Sequence, residues 1–268
     1  MNNNLYIVPH DFTPVGDAAL NYAINLSKRI SVEIRLLHIV SSKSEAAKAS
    51  AKLDEIITNA GKHDGITFSK SVREGSIFDE IGNIARKEGA QLIIMGTHGS
   101  TGMQKLLGSK AMKVVVSADT PFIILQKDTP FKDIKNIVVP IDLTKESLQI
   151  INNAGDMAEI FGATVHVIGE KQNDEYLGQQ MKTRILIVKK QYLERNVPCV
   201  VEMIPRGGSY SKKIMEYVKE KEIDMVAIAY HSESLLPQFD TFAQSLITNE
   251  NNLPCMILKS KQAGALYF

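Results

Sequence analysis

The chain has 268 residues, of which 44% are hydrophobic and 23% charged, with a formal net charge of +1 at pH 7. That length suits one large domain or two of ordinary size, and the charge balance gives no electrostatic case for nucleic acid or an anionic membrane. No apolar run nears the roughly 20 residues that a membrane-spanning helix needs. The opening Met1-Asn-Asn-Asn-Leu5 lacks the basic-then-apolar pattern of a signal peptide. Cys199 and Cys255 each neighbour a proline in an apolar stretch and read as buried structural thiols, so a cytoplasmic, reducing setting is expected.

In chain order, short apolar runs predict strands at 5–8, 32–40, 67–73, 92–95 and 122–125. Helical patterns fall between them at 15–29, 44–62, 77–88 and 109–116. The first of these spaces Val15, Ala19, Tyr22, Ala23 and Leu26 along one face, as a helix packed on a sheet should. Strands alternating with helices imply right-handed crossovers and a parallel sheet, an α/β fold.

The order then begins again. Ile137-Val-Val-Pro140-Ile-Asp142-Leu-Thr144 repeats Tyr6-Ile-Val-Pro9-His-Asp11-Phe-Thr13 at a displacement of 131. Gly208-Ser209 repeats Gly75-Ser76, and Pro254-Cys-Met-Ile-Leu258 repeats Pro121-Phe-Ile-Ile-Leu125, both at 133. A constant order with a two-residue drift argues for two copies of one domain, expected at 1–128 and 134–260 with a joint in the polar stretch 127–133.

In an open parallel sheet, ligands collect outside the carboxyl ends of the strands. Three segments of the first copy are expected to meet there. The first strand ends in Pro9, His10 and Asp11, and the second in His38, Ile39 and Val40. The fourth runs into Met95-Gly96-Thr97-His98-Gly99, with Gly108-Ser109-Lys110 opening the next helix. Glycines let backbone run alongside a sugar or phosphate, and the free N–H groups of a helix start suit an anion. Ser109 and Lys110 add a hydroxyl and an ammonium. Asp11 with Thr13 reads equally as a helix cap or as a ligand contact. His10 and His98 are expected to line the cleft through hydrogen bonds; with Asp11 they match no standard metal-ligand spacing. His38 reads as a satisfied core residue. No nucleophile elbow or Walker A motif occurs, and no catalytic residue stands out.

With these residues in view, the chain resembles the universal stress protein family in its tandem, two-domain form. The likeness rests on Val8-Pro9-His10-Asp11-Phe12-Thr13, on Leu37-His38-Ile39-Val40, and on Met95-Gly96-Thr97-His98-Gly99 with Gly108-Ser109. The resemblance implies two Rossmann-like domains of the adenine nucleotide alpha hydrolase type, each a five-stranded parallel sheet of order 3-2-1-4-5. It also implies a role in stress tolerance, dimer or pseudo-dimer formation, and no general catalytic reaction beyond, at most, slow ATP hydrolysis. ATP-binding members carry Gly-x2-Gly-x9-Gly-Ser/Thr. By that likeness Asp11 sits at ribose or adenine, Ile39 meets adenine through its backbone, Gly96 and Gly99 line ribose and phosphates, and Gly108 and Ser109 hold phosphate. The expected ligand is ATP, ADP or AMP, with or without Mg.

Two departures qualify that pattern. Eight residues separate Gly99 from Gly108, one fewer than the ATP-binding spacing. In the second copy Gly96 and Gly99 are matched by Ala229 and Ser232, and no glycine follows up to Phe242. Side chains such as Tyr230 and Glu233 are expected to take the space of a triphosphate. The leading expectation is therefore a stress protein that binds an adenine nucleotide in its first domain as a regulatory ligand. The alternative is a nucleotide-independent interaction protein built on a pseudo-dimeric scaffold.

Overall fold

The computed structural model describes residues 4–97, 107–230 and 241–261, and the chain divides into two units, Met1–Phe131 and Lys132–Phe268. In the amino-terminal unit the strands are β1 (Asn4–Pro9), β2 (Val32–Val40), β3 (Ile66–Glu74), β4 (Leu92–Thr97) and β5 (Phe122–Gln126). The helices are α1 (Pro14–Leu26), α2 (Ala46–Ala60), α3 (Ile77–Glu88) and α4 (Leu107–Val115). The strands stand in the order β3-β2-β1-β4-β5, and each neighbouring pair is parallel. Five parallel strands joined by crossover helices leave both faces covered, which explains why Ile7, Val8, Ile93, Ile94, Ile123 and Ile124 are fully buried in unbroken apolar runs.

Local sequence explains the helix ends. Pro14 opens α1, where its missing N–H has no partner to lose. Ser76 caps α3 by accepting from Phe78 N–H at 3.2 Å, and Gly89 closes it in the left-handed conformation at φ 67°. The buried face of α1 includes all five residues that the helical spacing selected.

The carboxy-terminal unit repeats the plan. Its strands are β6 (Asn136–Pro140), β7 (Thr164–Glu170), β8 (Cys199–Ile204), β9 (Met225–Tyr230) and β10 (Cys255–Lys259). They stand in the order β8-β7-β6-β9-β10, all parallel. The helices are α5 (Ile151–Phe161), α6 (Glu175–Glu194), α7 (Tyr210–Glu220) and α8 (Thr241–Ile247). Where α1 begins directly, this unit instead makes a 3-10 turn, Glu146–Ile150, before α5. Cys255 is buried as the sequence suggests, whereas Cys199 opens the edge strand β8 and is only half-buried. Burial raises both thiols, Cys199 to about 11, so neither is poised as a thiolate. No helix of the described residues is long and apolar enough to cross a membrane.

Candidate functional site

At the carboxyl ends of β1, β2 and β4 the amino-terminal unit leaves a cleft of about 180 Å³. Pro9, His10 and Asp11 form one wall, Leu37, His38 and Ile39 a second, and Met95 and Gly96 a third. Ile77 and Ile81 from α3 and Val114 from α4 close it. Thus Pro9, His10, Asp11, Ile39 and Gly96 come together as the sequence suggests. Gly108, Ser109 and Lys110 fall in the first turn of α4. His98 and Gly99 lie outside the described residues, as do the side chains of Ser109 and Lys110.

His10 is 3% exposed and fixed by its neighbours. The Phe12 N–H donates to His10 Nδ1 at 3.1 Å, so the ring hydrogen sits on Nε2, which faces Asp17 Oδ1 at 3.2 Å. Burial pushes the His10 imidazole below its ordinary value, against the opposing pull of Asp17 and Asp11. His38 departs from the core role expected of it. It is half-buried on the cleft wall, donates from Nδ1 to the His10 carbonyl at 2.7 Å, and lies 4.2 Å from the Phe12 ring, centroid to centroid. Its place on an apolar strand concealed that role, because β2 passes from the core into the cleft between Leu37 and Ile39.

Ile39 has the feature of most chemical interest. In a parallel strand both polar groups of one residue point to the same side, and alternate residues alternate sides. The Leu37 carbonyl accepts the His10 N–H at 2.9 Å on the β1 side, and the Val40 carbonyl accepts the Gly75 N–H at 3.1 Å on the β3 side. The Ile39 N–H and C=O therefore point towards β1, beyond its last paired residue, Pro9. The His10 carbonyl that would continue the ladder is taken by the His38 ring. An adjacent donor and acceptor thus open onto the cleft, unpaired among the described residues. Ile77, though apolar, is 45% exposed beside them.

Asp11 does not cap α1 directly. Its Oδ1 accepts from Thr13 N–H at 3.1 Å and Thr13 Oγ1–H at 2.6 Å, a turn ahead of α1, while Thr13 itself is the cap residue and makes no side-chain cap bond. Asp142 and Thr144 build the same turn at 2.7 and 2.5 Å, so it belongs to the repeat. Gly96 also has a packing reason. A Cβ there would press into the Val15 side chain and carbonyl, so glycine lets α1 lie against β4. Gly16 is similarly confined, since its Cβ would come within 3.1 Å of Asp11 Oδ1 and the His10 ring. No cluster of metal-ligating side chains occurs among the described residues.

Two matches to the universal stress protein family model account for residues 6–126 and 133–249, one on each unit. The chain belongs to the universal stress protein family. It is a tandem member of two α/β units, and the cleft just described lies at the strand ends of the first. A universal stress protein of Methanocaldococcus jannaschii is 31% identical over 137 residues, 44% of this chain and 81% of that protein. Among solved structures, a universal stress protein from Archaeoglobus fulgidus superposes with a TM-score of 0.76 at 18% identity, covering 97% of this chain and 99% of the other. A protein of unknown function from Pseudomonas aeruginosa gives 0.62 at 15% identity, over 97% and 93% of the two chains. These structural likenesses concern the fold.

The carboxy-terminal unit meets its strand ends differently. Tyr230, expected to crowd a triphosphate, is buried at the end of β9, and Glu233 lies outside the described residues. Tyr210, at the start of α7, reaches over the strand ends instead, a residue the sequence reading missed. Its counterpart in the first unit is Ile77, one place after the repeated Gly-Ser, and an aromatic in place of Ile77 was the available signal.

Proposed function

We propose that the amino-terminal unit binds an adenine nucleotide, and that the universal stress protein uses occupancy of this one cleft as a regulatory state. The observation that carries the reading is the free N–H and C=O of Ile39, a donor–acceptor pair matched to the edge of adenine, flanked by the apolar surfaces of Ile77, Ile81, Met95 and Val114. Asp11 keeps one carboxylate oxygen without a hydrogen bond among the described residues and supplies an acceptor for ribose. The first turn of α4, with Gly108, Ser109 and Lys110, supplies N–H groups for phosphate.

Magnitudes favour base recognition as the main contribution. A helix terminus contributes about 0.3–1 kcal/mol per charge when exposed, and about 2 when partly buried. Micromolar affinity requires about 8 kcal/mol, so most must come from the ring and its edge. Both imidazoles among the described residues of the cleft are committed: His10 to Phe12 and Asp17, and His38 to the His10 carbonyl.

Calorimetric titration with ATP, ADP and AMP tests this, together with mass spectrometry of small molecules released on denaturation. One site per chain is expected. Flat traces for all three, on protein free of co-purified nucleotide, would turn the reading to a nucleotide-independent interaction protein.

A further inference from the structure

The second unit reaches the same architectural point with its own side chains in place. By strand register, Ile141, Ile168 and Glu170 correspond to His10, Leu37 and Ile39. The Ile141 N–H donates to the Ile168 carbonyl at 2.8 Å, as His10 does to Leu37 at 2.9 Å. The two units then part. The Tyr210 hydroxyl lies 3.0 Å from the Ile168 carbonyl and 3.2 Å from that of Ile141, and so donates across the ends of β6 and β7. Its ring stacks on Phe242 at 5.4 Å and an interplanar angle of 11°. Phe242 lies in the first turn of α8, the counterpart of the α4 turn that carries Gly108, Ser109 and Lys110.

The backbone acceptor is treated in the same way. Where the Ile39 carbonyl stands open, the Glu170 carbonyl accepts the Gln172 side-chain amide at 2.9 Å. The Glu170 carboxylate accepts from Lys213 Nζ at 2.7 Å, and that ammonium also donates to the Pro205 carbonyl at 2.5 Å. A planar ring, a donor to strand-end carbonyls and a stacking partner are all present, and the chain supplies each of them.

We infer that Tyr210 is a built-in occupant of the strand ends of β6 and β7, and that the seat beneath it is a latent site for a planar aromatic carrying one hydrogen-bond donor. The ring is held by stacking and by a hydroxyl shared between two carbonyls, not by a covalent constraint, so a free phenol of the same shape replaces it once the side chain is removed. This holds whether or not the first unit takes a nucleotide, because Tyr210, Phe242, Ile141 and Ile168 all belong to the second unit.

The test uses the full chain with Tyr210→Ala and Tyr210→Phe, and p-cresol, the tyrosine side chain as a free molecule, as the probe. At tenfold excess over its Kd, p-cresol should raise the Tm of Tyr210→Ala by about 3 °C. It should leave the wild type and Tyr210→Phe unmoved, since both keep the ring in its seat. If Tyr210→Ala is unfolded alone, recovery of its structure by p-cresol supports the inference equally. No response of Tyr210→Ala, folded or not, overturns it, and so does a response of similar size in the wild type or in Tyr210→Phe.

Discussion

Gly96 and Val15 stand so close that no Cβ fits between them: one built on Gly96 would lie 3.1 Å from the Val15 carbonyl carbon and nearer still to its oxygen and Cγ1. In the carboxy-terminal unit the equivalent strand β9 carries Ala229, and the segment it packs against is the 3-10 turn Glu146–Ile150. Gly96→Ala is therefore expected to destabilise the amino-terminal unit by about 1–3 kcal/mol through overpacking. Urea unfolding followed by circular dichroism checks this. An unchanged midpoint would mean that α1 can move aside freely, and that the glycine is needed only for ligand approach.

Acid should weaken the fold before the carboxylates protonate. Burial holds His10 and His166 below their ordinary value of 6.5, so the unfolded chain takes up protons that the folded chain resists. Neither ring contributes above that value, where both states are neutral, and stability is lost as pH falls through 6.5 and below. Glu33 and Glu159 are held below 4.5, so their loss comes at lower pH. Tm should thus drop between about pH 6.5 and 5, and less steeply in His10→Asn. A Tm that is flat or rises over that interval would contradict the assignment.

Filling the first cleft as the second is filled should abolish nucleotide binding. Ile77→Tyr places a phenol where Tyr210 sits in the other unit, and Gly108→Asp places a carboxylate in the first turn of α4. Each is expected to lower affinity for ATP at least tenfold in calorimetry, about 1.4 kcal/mol. Unaltered binding in both variants would locate the nucleotide elsewhere.

Asp11 builds a turn and, in the proposed reading, also meets the ribose, and substitution separates the two. Asp11→Asn keeps the Oδ1 acceptor for Thr13 and should leave thermal stability nearly unchanged. Asp11→Ala and Asp142→Ala remove equivalent turns and should each destabilise by about 1 kcal/mol. Only Asp11→Ala should also weaken nucleotide binding; if Asp142→Ala does so equally, the effect is one of folding.

The strands, the helices and their doubled order were legible because each rests on local periodicity and on short repeated strings such as Val8-Pro9 against Val139-Pro140. The assembly of Pro9, His10, Asp11, Ile39 and Gly96 followed from parallel topology alone. What escaped the sequence depends on contacts far apart along the chain. Ile77 and Tyr210 open helices that look ordinary, and only the sheet shows which strand ends they overhang. His38 is indistinguishable from a core histidine until β1 is seen to end at Pro9. The packing demand on Gly96 needs α1 in place. Asp11 was legible as a choice between cap and ligand contact; the structure replaces the cap with a turn that both units share.

The amide of Gln172 resting on the Glu170 carbonyl leaves the two units unequally receptive. A ligand taken up at the open strand ends, as proposed, would add a stabilisation that grows with the logarithm of its concentration. Where the chain's own amide and phenol already hold the strand-end carbonyls, the same ligand would find those acceptors engaged.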